Sequence, residues 1–179
     1  MQNKKNNTRQ QIINAGQECL AQYGYTKTTF VDIARKAGMS RALLYLYFKN
    51  KKDLFSNMAS ERTDRYYALS QEILISDLSK KEKMQKIVDI WLIAPYRVII
   101  KAPNPDAWLD ELRNIAQGER YFRELFIKSL TPLLGRDLAE TVVLSYRGLL
   151  DDRPKVKTLE KRSRILLDLA ARGSLTLQS

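Results

Sequence analysis

Apolar residues in this chain recur at intervals of three and four, and the polar residues between them fall at helix-capping positions. Helices are therefore predicted throughout, and no strand stands out. The first is expected from about Thr8 to Gln22, with Ile12, Gly16, Cys19, Leu20 and Tyr23 on one face and Gly24 as a left-handed stop. Thr29 and Asp32 have the spacing of an N-cap, followed by Phe30, Ile33, Ala34 and Ala37, until Gly38 interrupts after barely two turns. Ser40 caps the next helix, and Asn50 with Asp53 caps a long fourth helix over about Lys51 to Ser76.

Beyond it, Ser79 and Glu82 predict a helix running to about Ile93, where Pro95 kinks or ends it, and Asn104 with Pro105 caps another. Gly118 is expected to close that segment ahead of a helix from Glu119 to Leu134, carrying Phe122, Phe126, Leu130 and Leu133 on one stripe. Helices over 136–151 and 157–172 complete an all-α chain of about nine helices. Residues 1–50, three short and angled elements, form one domain, and residues 51–179 form a larger one. The fourth helix is expected to belong to both.

Seven apolar or aromatic residues in a row, Ala42 to Phe48, do not fit one buried helical face. Starting at Arg41, Leu44 and Phe48 share a face by i, i+4 spacing and are expected to pack on Phe30, Ala34 and the first helix. The rest must look outward. A short helix, a glycine turn and a second short helix make a helix-turn-helix arrangement, for which Ala34, Gly38 and Leu44 supply close approach, positive φ and an apolar wedge.

Charge adds to this picture. The chain carries a net +11, and residues 1–55 hold ten cations (Lys4, Lys5, Arg9, Lys27, Arg35, Lys36, Arg41, Lys49, Lys51, Lys52) against three anions (Glu18, Asp32, Asp53). Polyanions become candidate partners of that third of the chain, and a solvated cationic face that aids solubility accounts for the count alone equally well. A single cysteine and no histidine argue against a disulfide, a zinc site or a histidine-based catalytic set, and no cofactor is expected. Asp106 with Asp110, and Asp151 with Asp152, lack a nucleophile or base to complete them, so the chain is read as no enzyme. The stretch MQNKKNNTRQQ holds no apolar h-region, and no apolar run approaches the ~18 residues a membrane span needs. A reducing cytoplasm is expected.

Residues 9–54 resemble the DNA-binding domain of TetR-type transcriptional regulators. The matching positions are Arg9, Ile12, Ile13, Ala15, Gly24, Thr28, Thr29, Ile33, Ala34, Ala37, Gly38, Ser40, Leu44, Tyr45, Tyr47, Phe48, Lys51, Asp53 and Leu54. The resemblance implies a repressor that binds a palindromic operator in double-stranded DNA as a homodimer. On its pattern, Arg41, Ala42, Leu43, Tyr45, Leu46 and Tyr47 meet bases or phosphates, Lys51 anchors a phosphate, and Thr28 and Thr29 are further phosphate contacts, Thr29 being equally a helix cap.

The family often has glycine where Ala42 stands, a small or hydroxylated residue at Leu43 and an aromatic or histidine at Leu46. Shape and methyl contacts would then replace base-edge hydrogen bonds. The resemblance further implies that the last two helices pair with their copies, with Val142, Tyr146, Leu149, Ile165, Leu166 and Leu169 at the interface. It also implies that the larger domain encloses a ligand, here a small apolar or aromatic one among Trp91, Tyr96, Trp108, Phe122 and Phe126. The alternative is a basic helical protein-interaction module that reads no DNA sequence.

Overall fold

The computed structural model describes residues 2–102, 105 and 116–176, and every described element is helical. In order these are α1 (Gln2–Lys27), α2 (Phe30–Ala37), α3 (Arg41–Tyr47), α4 (Lys51–Ile75), α5 (Lys80–Val88), a π-helical turn (Asp89–Ile93), α6 (Ala94–Ile99), α7 (Ala116–Leu134), α8 (Arg136–Asp151) and α9 (Val156–Thr176). The all-α expectation holds. Two compact units are present. The first takes Met1–Glu61 with Ile99–Glu119, and the second takes Arg62–Val98 with Arg120–Ser179. The division thus falls inside α4, eleven residues beyond the expected boundary.

In the first unit α1 buries Ile12, Ile13, Ala15, Cys19 and Leu20 against Phe30, Ile33 and Ala34 of α2, Leu44 of α3, Phe48, and Leu54, Phe55 and Met58 of α4. Cys19 is a buried free thiol, and burial pushes its pKa up, so it is an inert core residue. Gly24 breaks α1 at φ 75° and ψ 167°, which differs from the expected left-handed cap. That region of backbone space is open essentially to glycine alone.

Two capping boxes were legible in advance. Asp32 Oδ2 accepts from the Thr29 amide at 3.0 Å and its hydroxyl at 2.6 Å, and Glu82 Oε2 accepts from the Ser79 amide at 2.9 Å and its hydroxyl at 2.6 Å. These bonds, the hydroxyl first, hold both carboxyls below their ordinary pKa. A carboxyl with a depressed folded pKa stabilises the fold fully above its unfolded pKa of about 4, and that contribution is lost as pH falls through the folded value. Carbon-detected NMR titration is therefore expected to show Asp32 and Glu82 each protonating at a lower pH in the folded chain than in the urea-unfolded chain.

The second unit departs from expectation at two places. The helix begun at Lys80 does not stop at Ile93. It passes through Pro95 to Ile99, because the chain widens into a π turn just before the proline, with the Ala94 amide donating to the Asp89 carbonyl. Proline has no N–H to offer the carbonyl four residues back, and a wider turn absorbs that loss without ending the helix. Gly118 also lies inside α7, which starts at Ala116, and so does not close the preceding segment. The Asn104–Pro105 cap lies outside the described residues apart from Pro105.

The core of this unit is built on Trp91. Its ring stacks on Phe126 with centroids 5.1 Å apart and planes at 4°, Phe122 and Tyr66 meet it edge-on, and Phe126 continues to Tyr146. Trp91 Nε1 donates to Ser70 Oγ at 2.8 Å, and that hydroxyl donates to the Tyr66 carbonyl at 2.8 Å. No helix among the described residues is long and apolar enough to cross a membrane.

Candidate nucleic-acid interface

The α2–turn–α3 hairpin is closed by backbone bonds that its sequence dictates. Gly38 adopts φ 65° and ψ 33°, its amide donates to Arg35 O at 3.2 Å, and the Met39 amide donates to Ala34 O at 2.9 Å. This paired closure needs a left-handed residue at position 38, which glycine enters without a Cβ penalty. Ser40 Oγ then accepts from the Leu43 amide at 3.1 Å and starts α3 at once. Three residues thus turn the chain between two short helices.

On α3, Leu44 and Phe48 are buried, as their spacing required. Arg41, Ala42, Tyr45 and Leu46 are exposed, and Leu43 and Tyr47 are half-buried. Leu46 stands out most, with 78% of its surface in solvent. Tyr45 is more constrained than its exposure suggests. Its ring leans on Phe30 with centroids 5.1 Å apart, and its hydroxyl accepts from Arg41 Nη2 at 3.0 Å. Arg41 is thereby aimed along the outer face before any partner arrives.

The cations divide into two kinds. Arg9 is used internally: its guanidinium pairs with Glu61, donates to Asn57 Oδ1 at 3.0 Å and lies over the Phe48 ring. Lys36 pairs with Glu18 at 2.7 Å. Lys27, Lys49 and Lys52 are exposed and have no carboxylate partner among the described residues.

Lys51 departs from the expected role of phosphate anchor. Its Nζ donates to the carbonyls of Tyr25 at 2.6 Å and Thr28 at 3.0 Å, and it sits 4.3 Å from the centroid of the Tyr25 ring. It clamps the end of α1, where helical carbonyls lack partners. Thr28 departs likewise: it is buried, and its hydroxyl donates to Gly24 O at 2.7 Å and Cys19 O at 3.1 Å. Thr29 is exposed, but its hydroxyl both donates to and accepts from Asp32, which makes it a cap. The exposed lysines Lys49 and Lys52 replace Lys51 as phosphate candidates. A signal for this exists in the sequence, since Lys51 shares the i, i+3, i+4, i+7 stripe with Leu54, Phe55 and Met58 and so points inward.

Replacing Lys51 by methionine is expected to cost about 2–3 kcal/mol, because two carbonyls lose a charged donor. Its effect on DNA affinity should then follow the fall in thermal stability and leave the salt slope of binding unchanged. The double variant Lys49→Ala, Lys52→Ala is expected to do the reverse, keeping the melting temperature and lowering the slope by about 2. Paired melting curves and salt titrations separate the two cases.

The remaining expected site residues, Trp108 apart, lie in the second unit. Trp91, Tyr96 and Phe126 are buried and Phe122 is half-buried, while Trp108 lies outside the described residues. Trp91, Phe122 and Phe126 touch one another, and Tyr96 instead donates to the Pro154 carbonyl at 2.7 Å. The expected interface residues divide by face. Val142 and Tyr146 are buried in their own chain, and burial pushes the Tyr146 phenol well above its usual pKa. Leu149 and Leu166 are half-buried, and Ile165 and Leu169 are 52% and 62% exposed. Leu144 of α8, absent from the expected set, is 43% exposed.

Residues 12–58, the span from α1 through the hairpin into α4, match the family described as "Bacterial regulatory proteins, tetR family". This part of the chain belongs to the TetR family. The TetR-type domain is similar to the fatty acid metabolism regulator protein of Bacillus subtilis, 32% identical over 78 residues, which are 44% of this chain and 40% of that protein. It is also similar to an HTH-type transcriptional repressor of Mycobacterium tuberculosis, 40% identical over 68 residues, 37% of this chain and 36% of the relative. The chain thus spans about two fifths of these curated relatives.

Over nearly its whole length the fold is similar to that of solved transcriptional regulators. A transcriptional regulator from Cytophaga hutchinsonii superimposes with a TM-score of 0.71 at 20% identity, covering 90% of this chain and 95% of the other. The regulator FadR from Bacillus subtilis, solved in complex with stearoyl-CoA, gives 0.57 at 20% identity, covering 92% and 98%. Among the described residues, no group of three or more acidic, cysteine or histidine side chains is placed to hold a metal.

Proposed function

We propose that this chain is a ligand-responsive transcriptional repressor that binds a palindromic operator as a homodimer, with α3 as the helix that enters the major groove. The observation that carries the reading is the outer face of α3. Arg41, Ala42, Tyr45 and Leu46 are exposed there on a rigid, doubly capped hairpin, in a domain rich in cations. Phosphates on either side of the groove are the complement of Arg35, Lys49 and Lys52.

A homodimer is supported by Leu144, Ile165 and Leu169, apolar side chains that α8 and α9 leave exposed. Two-fold symmetry in the protein then calls for an inverted repeat in the DNA, with half-sites a whole number of helical turns apart, ~34 Å or a multiple. The second unit is assigned the response. A small apolar or aromatic ligand suits the rings around Trp91, and the fatty acid regulator among the relatives, with the stearoyl-CoA complex of a structural neighbour, favours a fatty acyl group.

Sedimentation of the protein alone and with a bound duplex, repeated with a fatty acyl thioester present, tests the reading. Two chains per duplex, released by the thioester, is the expected result. One chain per duplex would remove the dimer, and release by no apolar compound would remove the ligand response. The reading as an interaction module is favoured by no particular observation beyond net charge.

A further inference from the structure

We propose that the outer face of α3 selects its operator through the 5-methyl groups of thymine, with Leu46 and Ala42 as the residues that determine specificity. This rests on α3 being the groove-entering helix. The chain's own chemistry at that face leads there. Among Arg41 to Tyr47 there is no amide and no carboxylate, the side chains that pair with adenine or cytosine edges. Arg41 is the one charged group, and its Nη2 is already committed to the Tyr45 hydroxyl. Tyr45 in turn is leaned against Phe30.

Beside Arg41 and Tyr45, what this face offers for contact is apolar. Leu46, at 78% exposure, gains nothing from the folded chain itself, yet it occupies the outward centre of a basic domain where a solubilising residue would otherwise stand. In B-DNA the apolar feature of the major groove is the thymine methyl. Ala42 and Leu46 are one turn apart, a rise of ~6 Å, against a base-pair spacing of ~3.4 Å. A helix lying along the groove therefore sets the two side chains over methyls about one to two base pairs apart. Exposed Arg35, Lys49 and Lys52 around the hairpin match the charge of the phosphates that flank such a groove. Duplex DNA thus fits this face better than an apolar protein surface does.

The test uses the full-length protein and the duplex most enriched from a random pool. Thymines in each half-site are replaced one at a time by deoxyuridine, which deletes the methyl and keeps every hydrogen-bonding edge. Binding is expected to weaken about fourfold at each contacted methyl. In Leu46→Ala, whose melting temperature should be unchanged, the penalty at one of those positions is expected to vanish. An enriched duplex that binds equally well with every thymine replaced would overturn the methyl reading and leave DNA recognition standing. A pool that shows no enrichment would overturn both, and would give this face to a protein partner.

Discussion

Replacing Trp91 by alanine is expected to destabilise the protein by about 3–5 kcal/mol, the range for truncating a large aromatic ring in a core. The ring is 1% exposed, stacks on Phe126, meets Phe122 and Tyr66 edge-on, and bonds to Ser70. Truncation leaves no orphaned hydroxyl, since Ser70 still donates to the Tyr66 carbonyl, so the loss is one of packing. Trp91→Phe should recover much of the stability for the same reason. Denaturant unfolding followed by circular dichroism gives the number. A cost below about 1 kcal/mol would contradict a close-packed Trp91.

The second large effect is at Leu44. This side chain is fully buried under α3, packed in the cluster with Ile33, Ala34 and Phe48, so Leu44→Ala is expected to cost about 2–5 kcal/mol. DNA binding should disappear with the fold of the first unit, at every sequence and salt concentration. Two positions away on the same seven-residue helix, Leu46→Ala should leave the melting curve in place and affect binding alone. Melting curves and titrations of both variants check the pair. If Leu44→Ala retained full affinity, α3 would not depend on its buried face, and the hairpin would not be the reading head.

Local bonding was the part of this fold most legible in the chain. Thr29 with Asp32, Ser40, and Ser79 with Glu82 each announce a helix start, because a short side-chain oxygen three residues from an amide has one economical place to go. The hairpin and the burial of Leu44 and Phe48 follow from those caps and from helical spacing. Pro95 was harder to read, since whether a proline ends a helix depends on whether the preceding turn can widen, and periodicity does not record that.

Site residues were legible where exposure follows from spacing and obscure where it depends on a distant partner. Lys51 reads as a phosphate ligand until the carbonyls of Tyr25 and Thr28 are seen around its ammonium. Val142 and Tyr146 belong to the stripe of α8 that fills its own core, along with Ala139 and Val143. A helix buries its main apolar stripe within its own chain first. The apolar residues that α8 and α9 leave exposed are Leu144, Ile165 and Leu169, the face on which the proposed dimer rests.

The central claim is sequence-specific recognition of duplex DNA by a two-fold assembly. Selection from a pool of random duplexes by the purified protein, at about physiological salt, followed by sequencing of the survivors, tests it most directly. The expected result is an enriched inverted repeat whose half-sites are about one helical turn, or a whole number of turns, apart. Retention that merely fades as salt rises, with no sequence enriched, would contradict it.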